Sequence, residues 1–273
     1  MNNLNIGFIG AGNMARALLG GLCASGFSAE QLFATDPHQD KLDALQQDFG
    51  IQTCTTHEDL ISRCDVIVLA VKPQVAREAL EPITIDNPNT LIVSVVAGIR
   101  TSALQKWLGS ESAIVRTMPN TPALVQAGAT GLFANPHVTE PQREAAEHIM
   151  RAVGICLWVD NESQLDAVTA LSGSGPAYFF FMMEAMEKAG IKLGLNKDVA
   201  HLLTVQTAFG AAKLALEAED SPEQLRTKVT SPGGTTERAI QHMQNQRGLT
   251  MISEAVEAAF TRSQDLAKEL EKN

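Results

Sequence analysis

The chain has 273 residues, a formal net charge of −10 at neutral pH, 45% hydrophobic residues and 19% charged ones. Such a composition excludes a disordered chain, and the length gives room for one large domain or two smaller ones. An acidic balance with no basic run excludes a nucleic-acid footprint, because neutralising phosphates takes clustered Lys and Arg.

In chain order, short β-rich apolar runs fall at residues 5–10, 31–36, 65–71, 90–95 and 113–117. Amphipathic stretches at 13–25, 39–49 and 101–108 lie between them. Strands alternating with helices predict β-α-β units and a parallel sheet. Two further runs, 130–134 and 154–159, flank a helical stretch at 141–153 and are candidates to extend the sheet. Beyond 163 the pattern changes to helical periodicity alone, over about 164–190, 197–219, 222–229, 235–246 and 249–271. Turn and cap residues break it at Gly194, Asp220-Ser221-Pro222, Ser231-Pro232-Gly233-Gly234 and Gly248. The expected architecture is an α/β Rossmann-type, doubly wound sheet over residues 1–162, followed by an all-α domain over 163–273.

Cys23, Cys54, Cys64 and Cys156 form no C-x-x-C pair and match no zinc spacing, so reduced thiols and no metal are expected. The N-terminus lacks a basic start followed by an apolar stretch, and the most apolar run, 177–183, is far short of the ~20 residues of a membrane span. A cytoplasmic protein without membrane partners is the expectation.

The first strand runs into Gly10-Ala11-Gly12-Asn13-Met14-Ala15, which fits G-x-G-x-x-A at a strand-to-helix turn. Gly10 permits the tight turn, Gly12 lets backbone approach a pyrophosphate, and Ala15 keeps the helix close to the strand. Exposed N–H groups at the helix start then face the phosphates. Asp36, 24 residues past Gly12, stands near where an acidic residue reads the ribose 2′-hydroxyl. Its charge would repel a 2′-phosphate and so favours NADH over NADPH. The plainer alternative is a helix cap before Pro37. Lys72-Pro73, the stretch from Ser94 to Gly98, and Met118-Pro119-Asn120-Thr121-Pro122 also follow strands, where doubly wound sheets bind ligands. Each could equally be ordinary loop chemistry.

In the helical half, Ser172-Gly173-Ser174-Gly175-Pro176 interrupts an apolar helical pattern. A fresh helix starting at Pro176 would remove most of the cost of two glycines and a proline. Further on, Ser231-Pro232-Gly233-Gly234-Thr235-Thr236 leads into a helix whose first N–H groups lack partners. Such a turn can grip a carboxylate by backbone and helix dipole, which would suit an acidic protein holding an acidic substrate. The alternative is a plain capping turn with Glu237 at N3. No nucleophile–base pair is visible, and the six histidines are scattered. Oxidising an alcohol demands a base, whereas reducing a protonated imine needs only a hydroxyl near the nitrogen.

At these motifs the sequence resembles the pyrroline-5-carboxylate reductases, which complete proline synthesis. The likeness spans nearly the whole chain, through FIGAGNMA, AVKPQ at 70–74, MPNTPALV at 118–125, SGSGPAY at 172–178 and SPGGTT at 231–236. It implies reduction of L-1-pyrroline-5-carboxylate to L-proline by hydride from NADH or NADPH. Ile9, Gly10, Ala11, Gly12, Asn13 and Met14 match the family's pyrophosphate loop. Ala70, Val71, Lys72, Pro73, Val95 and Ala97 match stretches beside the nicotinamide half. Asp36 falls where some relatives carry a serine able to meet a 2′-phosphate. Thr236, the candidate catalytic residue, matches the hydroxyl that hydrogen-bonds the substrate's ring nitrogen. Gly233, Gly234 and Thr235 match the turn that binds the substrate carboxylate, and Glu219 a carboxylate that holds the nitrogen's charge. The resemblance also implies a helical domain that dimerises and binds substrate, a homodimer able to assemble into a decamer, and active sites that join one subunit's nucleotide domain to the other's SPGGTT turn.

Two rivals share parts of this pattern. A β-hydroxyacid dehydrogenase has the same order of domains but needs a lysine early on the helix after the glycine-rich turn, and residues 172–187 contain none. A non-enzymatic nucleotide sensor would keep the first glycine turn without needing the second.

Overall fold

The computed structural model describes residues 4–81, 83–85, 87–109 and 111–272. The strands are β1 (Ile6–Ile9), β2 (Leu32–Thr35), β3 (Gln52–Thr53), β4 (Val66–Leu69), β5 (Leu91–Ser94), β6 (Ala113–Met118), β7 (Gly128–Ala134) and β8 (Gly154–Trp158). Around them lie α1 (Asn13–Ala24), α2 (Gln39–Phe49), α3 (His57–Arg63), α4 (Pro73–Leu80), α5 (Thr101–Leu108) and α6 (Glu140–Arg151). The helical half comprises α7 (Gln164–Val168), α8 (Gly175–Lys192), α9 (Lys197–Glu217), α10 (Pro222–Lys228), α11 (Thr235–Asn245) and α12 (Gly248–Lys272).

The sheet has the order β3-β2-β1-β4-β5-β6-β7-β8. From β3 to β6 every neighbouring pair is parallel, and the winding reverses between β1 and β4. Both candidate extensions join the sheet, but β7 runs antiparallel to β6. The link between them holds only a short 3-10 turn, Thr121–Val125, and a return without a crossover helix brings the chain back antiparallel.

Alternate strand residues serve two cores. Ile6, Phe8, Val66, Val68, Leu91 and Val93 face one side, against Leu18 and Leu22 of α1, Leu42 and Leu45 of α2 and Ile149 of α6. Ile9, Ile67, Leu69 and Ile92 face the other, against Leu60 of α3, Leu80 of α4 and Leu104 of α5. Burial on both faces explains why these strands read as unbroken apolar runs. Each fully buried side chain of this size stabilises the fold by roughly 1.5–3 kcal/mol relative to exposure.

After α7 the chain widens into a π-helical turn, Thr169–Gly173. A new helix then begins at Gly175, one residue before the expected start, with Pro176 in the first turn where its missing N–H costs little. The chain divides into two compact units, Met1–Ser174 with Ala259–Asn273, and Gly175–Ala258. This differs from a boundary at 162/163. Leu165 and Ala170 are buried, and Val168 comes so close to Gly131 of β7 that a Cβ there would lie 2.8 Å from it. Asp166, also buried, accepts a 2.7 Å hydrogen bond from the Ser263 hydroxyl near the end of α12. Residues 163–174 are helical in conformation yet pack against the sheet as part of the first unit.

In the second unit Phe179, Phe180, Phe181, Leu202, Leu203 and Phe209 are all more than half exposed. Apolar surface on this scale marks an interaction face. Among the described residues α9 is also long and apolar enough to cross a membrane, which the shorter run at 177–183 does not suggest. Helices buried between subunits share that property.

Candidate active site

β1 ends at Ile9 and the chain turns at Gly10, whose N–H donates to the Thr35 carbonyl at 2.8 Å. Gly10 has φ +103°, and a Cβ on it would lie 2.6 Å from the Ala70 carbonyl oxygen. Only glycine satisfies both conditions. Gly12 is different. It caps α1 with φ −80° and ψ −175°, extended backbone that any residue adopts, and a Cβ there would find nothing nearer than the Ala70 oxygen at 4.0 Å. Nothing within the protein requires glycine at that position. A ligand that must touch backbone in front of an uncapped helix does, so the turn fits a dinucleotide pyrophosphate. Asn13 and Met14 open the helix, and Ala15 is buried behind them.

Asp36 follows β2, and only 8% of its side chain is exposed. Its Oδ2 accepts from the Ala11 N–H at 2.8 Å. Its Oδ1 accepts from the His38 N–H at 2.9 Å and lies 2.9 Å from His38 Nδ1, with Lys41 Nζ 3.6 Å away. Burial pushes the carboxyl up, but the bonds from Ala11 and His38 and the charge of Lys41 outweigh it and hold the group below the usual carboxylate range. The helix-cap alternative is not what forms. His38 takes the N-cap position of α2, and Asp36 reaches back into the glycine turn.

Ala70, Val71 and Lys72 follow β4, with Lys72 at the N-cap of α4 and Pro73 its first residue. Val95 and Ala97 follow β5, and the Val95 N–H donates to the Leu69 carbonyl at 3.1 Å. With Asp36 and the glycine turn they gather at the carboxyl ends of parallel strands, the edge where open α/β sheets bind ligands. Asn120, just past β6, adds an anchor that periodicity does not single out. It accepts from the Ala129 N–H at 2.9 Å and donates to the Ser172 carbonyl at 3.0 Å. Met118 fills the space beside Gly173, where a Cβ would lie 2.5 Å from its methyl carbon. Together they pin the π-helical turn to the end of β6.

In the second unit, Gly234 is the N-cap of α11 and Thr235 and Thr236 are its first residues. Gly233 has φ +72°, and a Cβ on Gly234 would lie 2.9 Å from the Ser231 carbonyl oxygen. The turn's own backbone therefore demands both glycines. Their N–H groups are engaged as well. Gly234 donates to the Ser231 carbonyl at 3.0 Å and Gly233 to Glu237 Oε2 at 2.8 Å. What remains for an anion is the first helical N–H groups, those of Thr235, Thr236 and Glu237, which have no carbonyl to meet inside the helix. The glycines thus shape the turn, and the open N–H groups belong to the residues after them. Glu219 is exposed in the turn between α9 and α10, and among the described residues no hydrogen bond ties it to 233–236. Its neighbour Asp220 pairs with Lys228 Nζ at 2.6 Å, which fixes that turn against α10.

Among the described residues no group of His, Cys, Asp or Glu could hold a metal ion. Burial pushes the thiols of Cys54 and Cys156 up to about 11 and that of Cys64 up to about 12, so none of the three is a nucleophile near neutral pH.

The chain matches the family model described as pyrroline-5-carboxylate reductase dimerisation over residues 162–266, and that of NADP oxidoreductase, coenzyme F420-dependent, over 5–98. It is 48% identical to the pyrroline-5-carboxylate reductase of Pseudomonas aeruginosa, over 99% of each chain. It is also similar to the solved pyrroline-5-carboxylate reductase from Coxiella burnetii, with 46% identity and a TM-score of 0.92 over 97% of this chain and 99% of that one. A Plasmodium falciparum pyrroline carboxylate reductase, solved with NADP bound, is 30% identical with a TM-score of 0.87 over 98% of this chain and 99% of that one.

Proposed function

Starting from the fact that this chain belongs to the pyrroline-5-carboxylate reductase family, we propose that it reduces L-1-pyrroline-5-carboxylate to L-proline in proline biosynthesis. The observation that carries the chemistry is a glycine turn with free space before α1, together with the start of α11, where the N-cap is a glycine and no side chain caps it. A bound nicotinamide supplies the hydride. Ile9 to Met14 hold its pyrophosphate, and Ala70 to Pro73, Val95 and Ala97 line the nicotinamide half. The Thr235 and Thr236 N–H groups take the substrate carboxylate in the positive end of the α11 dipole. The Thr236 hydroxyl bonds the ring nitrogen and helps keep it protonated while the C=N carbon accepts hydride. Glu219 is the carboxylate assigned to the positive charge that the protonated ring nitrogen carries before hydride arrives. No general base is required, because the protonated C=N is already electrophilic.

The family's dimerisation region takes in the exposed phenylalanines of α8 and the apolar sides of α9, which supports self-association. We extend this to active sites shared between two subunits, to further assembly into a decamer, and to a cytoplasmic home suited to four free cysteines. Nucleotide binding by the sheet-bearing unit, and dimerisation with substrate binding by the helical unit Gly175–Ala258, belong to the same proposal. The test is cofactor consumption. NADH or NADPH should be oxidised with pyrroline-5-carboxylate, while NAD with 3-hydroxyisobutyrate should give no turnover. The opposite pattern would favour the dehydrogenase reading, which otherwise has only the shared domain order behind it.

NADH preference is the finer proposal, and Asp36 supports it by placing a carboxylate at the ribose end of β2. Lys41 offsets part of its charge, so the preference should be modest. Asp36→Ser is expected to raise the ratio of NADPH to NADH efficiency by about 5–20-fold, as for removing one close like charge. It should also weaken both cofactors, because the Ala11 N–H loses its acceptor. Steady-state kinetics with each cofactor would show this, and an unchanged ratio would leave Asp36 with only the task of holding the turn.

A further inference from the structure

We propose that Glu237 is a positioning residue for the substrate carboxylate, acting through the Gly233 N–H; this rests on the site reading above. A glutamate at the third position of a helix usually reaches back to the N-cap N–H. Here the N-cap amide, that of Gly234, is already bound to the Ser231 carbonyl, and Glu237 Oε2 reaches one residue further, to Gly233 at 2.8 Å. Gly233 is the left-handed residue of the turn, at φ +72°, and glycine is the residue with the widest backbone freedom. Among the described residues the Glu237 bond is what fixes that amide. Two consequences follow for the anion cradle. By joining Gly233 to the third residue of α11, the bond fixes the Ser231–Gly234 loop relative to the helix start that carries the Thr235 and Thr236 N–H groups. The carboxylate oxygen that makes this bond is committed to Gly233 and not to those amides, for which it would otherwise compete with the substrate.

The bond and the charge can be separated. Glu237→Gln keeps an acceptor of the same reach without the charge. Glu237→Asp keeps the charge at the helix start but is one methylene too short for Gly233. Glu237→Ala removes both. If the bond positions the cradle, the KM for pyrroline-5-carboxylate should rise by about 5–20-fold in Asp and Ala and stay within about twofold of the parent, or fall, in Gln. Inhibition by L-proline should weaken in parallel, whereas inhibition by pyrrolidine, which lacks the carboxylate, should not change. The KM for NADPH should not move, and kcat should fall little. A Gln variant as impaired as Ala beside a normal Asp would overturn the proposal in favour of charge alone. So would unchanged proline inhibition in all three variants. Thr236→Ala, run alongside, keeps the two readings apart: its loss of turnover with normal Glu237 variants would sink only the role of Glu237, while full activity in Thr236→Ala would sink the site itself.

Discussion

Gly12→Ala should weaken binding of NADH and NADPH alike by about 10–100-fold, or ~1.4–2.7 kcal/mol, while the protein melts close to its parent. The expectation comes from what surrounds each glycine of the first turn. At Gly12 the backbone is extended and the nearest atom to an added methyl is 4.0 Å away, so the folded chain has room for it. Exchanging glycine for alanine at an N-cap costs at most about 1 kcal/mol. The pyrophosphate has no such room, because its oxygens must come within hydrogen-bond distance of the bare helix start. Gly10→Ala is the control with the opposite signature. Positive φ and a carbonyl oxygen 2.6 Å from the new carbon strain the fold itself, so stability should drop by about 2 kcal/mol or more. Calorimetric cofactor titration with thermal melts on both variants would check this. Undiminished binding in Gly12→Ala would mean the space in front of α1 is not where the phosphates lie.

Much of this arrangement was legible because it depends on contiguous residues. The buried strands show as apolar runs, since both faces of each are covered by helices. The glycine turn shows because its three small residues each answer a different local constraint. Features set by distant contacts do not show. β3 is only Gln52–Thr53, too short for any period to register. The reversal at β7 depends on a 3-10 turn in place of a crossover helix. Residues 163–174 have helical periodicity like the half that follows, and only their contacts with β7 and the end of α12 assign them to the first unit. The role of Asp36 was half visible. Its place after β2 follows from spacing, but its bond to the Ala11 N–H could come only from the fold. At the second turn the glycines were visible and the assignment of amides was not, because engagement of an N–H by the Glu237 side chain or the Ser231 carbonyl leaves no mark in composition.

Thr236→Ala should lower kcat by roughly 5–150-fold, the ~1–3 kcal/mol lost with one directed hydrogen bond in the transition state. Three features make the loss interpretable. Alanine is the better helix former, so α11 should not be weakened by the change. The Thr236 N–H, assigned to the substrate carboxylate, is backbone and survives the substitution, so the KM for pyrroline-5-carboxylate should move by less than about threefold. The cofactor residues lie in the other compact unit, so NADPH affinity should stay at the parent value. Thr236→Ser restores the hydroxyl and should recover most of the rate. The reaction needs no base, and the neighbouring Thr235 side chain leaves the helix about 100° away from that of Thr236. A Thr236→Ala enzyme turning over at the parent rate, or a Ser variant as slow as Ala, would show that the ring nitrogen is protonated elsewhere, and would leave the helix start with carboxylate binding alone.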